Sequence, residues 1–172
     1  MSKMSKTNAM RLLDREKIQY DITSYETGDG LVDGISCAHK LGVDPREVYK
    51  TLVLKANNGE FFVGIIPVNT ELDLKAMAAA AQVKSIQPIP LKELKPLTGY
   101  ERGGCSPIGM KKQLSTIVDS AALSEERIYV SAGRIGTQVH LSPRDLIDMT
   151  RATTANISKQ EEDHEGSYGD HT

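Results

Sequence analysis

Residues 49–67 read YKTLVLKANNGEFFVGIIP, two runs of aliphatic, aromatic and β-branched residues on either side of Asn57-Asn58-Gly59. Asn and Gly tolerate the positive φ that tight hairpin turns demand. Tyr49–Lys55 and Glu60–Pro67 are therefore expected to pair as antiparallel strands. Val48, Leu52 and Leu54 share one parity in the first run, and Lys50 falls on it too. Strict alternation places Lys50 on that apolar face. A lysine there meets a counter-charge or a ligand anion, or it reaches a rim and snorkels to water. The sequence leaves both open.

Working outward, Ser5 and Thr7 are candidate caps for a helix carrying Ala9, Leu12 and Leu13 on one face. Gln19–Tyr25 alternates like a strand, and Thr27–Gly34 (TGDGLVDG) reads as a loop. A helix over Ile35–Leu41 stops at Gly42, and Asp44-Pro45 opens a turn. Downstream, Asp73–Gln82 is alanine-rich and helical. Pro88, Pro90, Pro96 and Gly99 are expected to break the chain around one helical turn, Leu91–Leu94. Gly103–Gly109 (GGCSPIG) suits neither helix nor strand. Ser115–Asp119, Arg127–Val130 and Thr137–Leu141 read as strands, and Ser142-Pro143 caps a last helix to Met149. From Ser158 the chain is polar and acidic, the composition of a disordered tail. The pattern predicts an α+β fold: a largely antiparallel or mixed sheet curled towards a barrel, with helices outside. It forms one domain over residues 5–157, followed by a tail over 158–172.

The 172 residues carry 21 Lys+Arg against 23 Asp+Glu, a formal charge of -2. That balance argues against a protein that grips nucleic acid, DNA included, by charge alone. Aromatics are 5% with no Trp, which disfavours a stacking platform for single strands. Cys37 and Cys105 cannot build a disulfide scaffold and fit a reducing, cytoplasmic setting. Four scattered histidines, without CxxC or HExxH, give no reason to expect a metal or another cofactor. No apolar stretch approaches the roughly 20 residues of a membrane span, and MSKMSKTNAM lacks the apolar core of a signal peptide.

Chemistry has a few candidate seats. The paired glycines of Gly103–Gly109 expose backbone with no side chain in the way, so a ligand can approach closely. Ser106 adds a hydroxyl; the loop serves a ligand or only topology. Cys105 beside that loop is either a nucleophile or a small pocket-lining thiol. Cys37, next to Ala38, reads as core. Tyr25 ends a strand and offers a phenol to a ligand or to packing. Asp145, near the start of the last helix, complements the helix dipole by default.

Three blocks together resemble the YbaK/EbsC family, free-standing relatives of the editing domain found in many bacterial prolyl-tRNA synthetases. They are Val48–Leu52 (VYKTL), Thr98–Gly109 (TGYERGGCSPIG) followed by Lys111-Lys112, and Ile128–Ser131 (IYVS) leading to Leu141–Leu146 (LSPRDL). Order and spacing agree across residues 7–157. The resemblance implies the family's mixed, barrel-like fold. It implies a hydrolase that clears misacylated tRNA, typically Cys-tRNA(Pro), with Cys-tRNA(Cys) a further substrate. On this basis Lys50 contacts the aminoacyl end and Gly103 presents its backbone to the aminoacyl group. Tyr25, Thr51, Gly104, Ser106, Ser131 and Asp145 match substrate-binding positions, and Arg102, Lys111 and Lys112 would touch the tRNA acceptor end. A near-neutral chain lacks the field for tight independent tRNA binding, so prolyl-tRNA synthetase is the expected partner.

Such a reaction needs no protein nucleophile. Cysteine and serine are nearly isosteric, and binding separates such pairs by only about 10- to 200-fold. A thiol of pKa about 8.5 supplies a few per cent thiolate at pH 7. The substrate's own sulfur can attack its ester carbonyl and release the tRNA hydroxyl in a lyase-like cyclisation, leaving a cyclic thioester to hydrolyse. The protein then contributes proximity. Two rivals stay open: a deacylase for another small amino acid such as alanine or serine, and a non-catalytic aminoacyl-tRNA-binding or regulatory protein.

Overall fold

In the computed structural model, which describes residues 5–160, the Asn57–Gly59 turn closes as the sequence requires. Gly59 N–H donates to the Ala56 carbonyl at 2.9 Å, and Ala56 N–H donates to that of Glu60 at 2.8 Å. The strands it joins are β2 (Tyr49–Ala56) and β3 (Phe61–Pro67), antiparallel in a register from Lys55↔Phe61 to Tyr49↔Pro67. Before them come α1 (Asn8–Arg15), β1 (Tyr20–Ser24) and α2 (Gly34–Leu41). After them come β4 (Thr70–Leu72), α3 (Leu74–Ala81), β5 (Ile86–Pro88), α4 (Leu91–Thr98) and β6 (Ser115–Asp119). The chain continues through β7 (Ile128–Arg134), β8 (Thr137–Leu141), α5 (Pro143–Thr150), β9 (Thr153–Ala155) and β10 (Ser158–Gln160).

The fold is α+β and mixed, as expected, but its strands form three sheets among the described residues. One has the order β5-β2-β3-β6-β9, with β3–β6 and β6–β9 parallel. The second, β1-β8-β7, is antiparallel, and β10 pairs with β4 in the third. A parallel bridge between Val48 and Tyr129 joins the first two, which gives the curled character.

The odd residues Tyr49 and Val53 of β2 enter the main core with Leu13 of α1, Val130 of β7 and Val139 of β8. The even residue Leu54 enters a second core with Met77 of α3, and Leu52 packs against it. Val48 joins a third cluster with Cys37 and Ala38 of α2. Lys50 shares the even face, between the second and third clusters.

Local signals set the helix ends. Thr7 caps α1 by accepting from Met10 N–H, and Ser142 caps α5 by accepting from Arg144 N–H. Gly42 ends α2 in the left-handed region.

Three expectations need correction. Pro96 does not stop the helix at Leu94. The helix runs to Thr98, whose hydroxyl donates to the Leu94 carbonyl at 2.8 Å while Gly99 N–H donates to that of Lys95. These bonds close the last turn, and the Lys92 carbonyl that loses its partner to proline lies on the exposed side, where water can serve it. The strand expected over Arg127–Val130 starts at Ile128 and continues past Val130 to Arg134, with an irregularity between Ser131 and Arg134. The polar segment from Ser158 begins as a strand: Ser158, Lys159 and Gln160 pair with Leu72, Glu71 and Thr70. The rest of the expected tail lies outside the described residues.

Asp119 pins that last strand. Its buried carboxylate accepts from Ile157 N–H at 2.9 Å and Ser158 N–H at 3.0 Å, and caps the next segment through Ala121 N–H. Asp119→Ala strands three buried or half-buried donors and should cost about 3 kcal/mol. The urea midpoint measures this, and an unchanged midpoint contradicts it.

Candidate active site

β5 pairs with β2 only from Leu54 to Ala56, and Ile89 N–H reaches the Val53 carbonyl at 3.1 Å. Beyond that point the outer edge of β2 borders a cleft of about 950 Å³. Lys50, Thr51 and Leu52 line its floor. The loop entering α2, the Gly103–Cys105 turn, the start of α4, and Ser131 and Gln138 form its walls.

Ser131 and Gln138 face each other in the β7–β8 register and continue a polar face on which Tyr129 and His140 stack at 3.9 Å. The other face of that sheet carries Ile128, Val130, Val139 and Leu141 into the main core. One sheet therefore separates a polar cleft wall from an apolar core by alternation alone.

The fold gathers Tyr25, Lys50, Thr51, Arg102, Gly103 and Ser131 around this cleft. Lys50 is half-buried, while Arg102 is exposed at the mouth. Gly103 holds φ at +85°, a conformation that favours glycine.

Five other site candidates do not line the cleft. Gly104 packs against a neighbouring turn, where a Cβ would come within 2.8 Å of the Ile135 backbone nitrogen. Ser106 is fully buried and accepts from Ile108 N–H at 3.2 Å, holding the loop's shape. Asp145 sits in the first turn of α5, where an acid complements the helix dipole. Lys111 and Lys112 are exposed before β6, and the Lys111 stem lies over Gly99.

Sequence reasoning missed Gln138. Its Oε1 is buried without a hydrogen-bond partner among the described residues, and so is the Oγ1 of Thr51. Buried polar atoms left in this way are costly unless a ligand satisfies them. A polar parity (Gln138, His140) inside the short central strand β8 was the available signal.

The Tyr25 phenol and the two thiols of the cleft are held neutral. Burial pushes the Tyr25 phenol up to about 12, neighbouring Cys37 adds to this, and hydrogen bonds from Gly136 and Gln138 oppose it. Burial pushes the Cys37 thiol up to about 11 and the Cys105 thiol up to about 12; hydrogen bonds with Tyr25 and Thr98 respectively act the other way. Both thiols are therefore protonated at neutral pH, and neither is a ready nucleophile. Among the described residues, no group of three or more His, Cys, Asp or Glu could hold a metal ion. No helix among them is long and apolar enough to cross a membrane.

Residues 34–149 match the model of the aminoacyl-tRNA editing domain, a span that includes Lys50, Gly103, Ser131 and Gln138. The chain belongs to that family. It is thereby an editing protein of the aminoacyl-tRNA deacylase class, and the YbaK/EbsC resemblance of the VYKTL and GGCSPIG blocks is borne out. The chain is 40% identical over 156 residues, 91% of its length, to a protein of Enterococcus faecalis provisionally named the Cys-tRNA(Pro)/Cys-tRNA(Cys) deacylase EbsC, of which it covers 95%. The crystal structure of the hypothetical protein APE2540 superposes with a TM-score of 0.81 at 25% identity, covering 89% of this chain and all of that one. Another, provisionally described as a trans-editing enzyme for prolyl-tRNA synthetase, gives 0.77 at 18% identity over 91% of this chain and 99% of its own; it supports the fold.

Proposed function

We propose that this protein edits in trans, removing cysteine from proline-specific tRNA, and from cysteine tRNA as a second substrate, through attack by the substrate's own thiol. The observation that carries this reading is a cleft holding a lysine and a glycine-loop backbone, whose own thiols stay protonated. Lys50 meets the ester or the adjoining ribose. Gly103 presents its backbone to the aminoacyl group, and Thr51, Ser131 and Gln138 offer polar partners to the α-ammonium. With a formal charge of -2, the protein receives the tRNA from prolyl-tRNA synthetase in the cytoplasm.

The deciding experiment compares release of free tRNA from Cys-, Ser- and Ala-charged tRNA(Pro). Cysteine should be released at least about 100-fold faster than serine, because only the thiol ionises near neutral pH. Release of serine or alanine as fast as cysteine would select the deacylase for another small amino acid, and binding without release would select the regulatory protein.

The pH dependence follows with a definite sign. The thiolate is the reactive form, so below the substrate's pKa of about 8.5 the rate should rise about tenfold per pH unit and then level off. A profile that climbs on towards the range of Cys37 and Cys105 would implicate a protein thiol instead.

Cys105→Ser should likewise retain deacylation within about threefold, the size of a minor packing change of the wall. A loss beyond about 100-fold, roughly 2.7 kcal/mol of barrier, in a folded variant with normal KM would assign attack to the protein.

A further inference from the structure

We propose that Leu31, Leu91 and Ile135 form an aliphatic seat at the cleft mouth for the terminal adenine of the charged tRNA. The inference rests on the deacylase reading for the position of the aminoacyl group. Exposed large hydrophobic side chains are sparse on the described surface, and these three, at 52%, 58% and 38% exposure, lie in or next to the residues that line the cleft. Leu91 lines the cleft, and Leu31 lies between the lining residues Gly30 and Val32. Ile135 Cγ1 lies 3.7 Å from the position a Cβ on Gly103 would take. Grouped apolar exposure of this kind marks a binding surface, whereas single exposed leucines do not.

The backbone holds each of them outward. Leu31 N–H donates to Asp29 Oδ1 at 3.0 Å, and its carbonyl accepts from Lys40 Nζ at 2.8 Å. Lys40 also bonds Asp29 and the Glu26 carbonyl, fastening the loop to α2. The Ile135 backbone is packed against Gly104. Leu91 is the first residue of α4, directly after Pro90, whose ring fixes φ. A seat built before the ligand arrives loses little entropy on binding.

Size and covalent reach name the occupant. A cleft of about 950 Å³ lies at the upper end of the 300–1,000 Å³ that hold drug-sized ligands, so a cysteinyl group alone leaves most of it empty. The aminoacyl group is joined to the terminal ribose by one ester bond. With that group at Lys50 and Gly103, the nucleoside falls at the mouth, beside Ile135. Apolar contact with a base face needs no positive field, which suits a chain of net charge -2.

The test uses 3′-deoxy-3′-(L-cysteinylamino)adenosine, whose amide resists deacylation, titrated into the full-length protein and followed by methyl NMR. The methyl resonances of Leu31, Leu91 and Ile135 should shift. Leu91→Ser/Ile135→Ser should bind about tenfold more weakly, while Leu123→Ser, an equally exposed leucine outside the cleft, should bind like wild type. With Cys-tRNA(Pro), the double variant should show raised KM and unchanged kcat, the mark of lost uniform binding. Wild-type affinity of the double variant for the analogue overturns the seat. So does a defect that emerges only when prolyl-tRNA synthetase is present, which would make the rim a protein-docking face. Analogue binding at the rim by a protein that never deacylates Cys-tRNA would leave the seat standing and refute the deacylase reading.

Discussion

Lys50→Ala is expected to lower cysteine release from Cys-tRNA(Pro) by about 100- to 1,000-fold, the range seen when one preorganised donor to a developing oxyanion is removed. The fold should survive. Lys50 pairs through its backbone with Ile66 on β3, a bond pattern that no side-chain change disturbs. Its half-buried stem lies between Val48 and Leu52, and the neighbouring clusters close through other residues. The ammonium is a cation on the cleft floor, where negative charge grows on the ester oxygen as the thiolate attacks. Lys50→Met separates charge from volume, since it restores the stem and omits the ammonium. It should be as inactive as alanine. Wild-type turnover by a folded Lys50→Ala protein, judged by circular dichroism and melting, would remove Lys50 from the mechanism.

The hairpin, the Thr7 and Ser142 caps and the Gly42 stop were legible because each is a local rule acting over a few residues. The strands Thr70–Leu72, Ile86–Pro88, Thr153–Ala155 and Ser158–Gln160 were not. Three residues are too few to show alternation: β5 and β9 form on the edges that β2 and β6 offer, and β4 and β10 pair only with each other. The site divides along the same line. Parity placed Lys50 on the apolar face, and the glycine loop pointed to Gly103. For Gln138 the sequence offered only a polar parity with His140, because burial of a polar atom is a property of three packed strands. Asp145, Lys111 and Lys112 belong to the motif blocks in sequence, yet none of them lines the cleft.

Gly103→Ala should lower the deacylation rate by about 100-fold, while Gly59→Ala should leave the rate per folded molecule unchanged. The two glycines share a backbone problem and differ in surroundings. Gly103 sits at φ +85° and Gly59 at +89°, so alanine at either pays the left-handed penalty of about 1–2 kcal/mol. Around Gly59 nothing lies within 4 Å of the new methyl group. At Gly103 the methyl group meets Val32 Cγ2 at 3.3 Å and Ile135 Cγ1 at 3.7 Å. Val32 lines the cleft, as Gly103 itself does, so relief of the contact moves the wall. A displacement of about 1 Å costs on the order of 100-fold where catalysis is proximity. Gly103→Pro should be worse, because its ring holds φ near -65°, the opposite sign. Rates are to be normalised to folded protein by circular dichroism. Equal activity of Gly103→Ala and Gly59→Ala would make the loop purely structural and remove backbone contact from the mechanism.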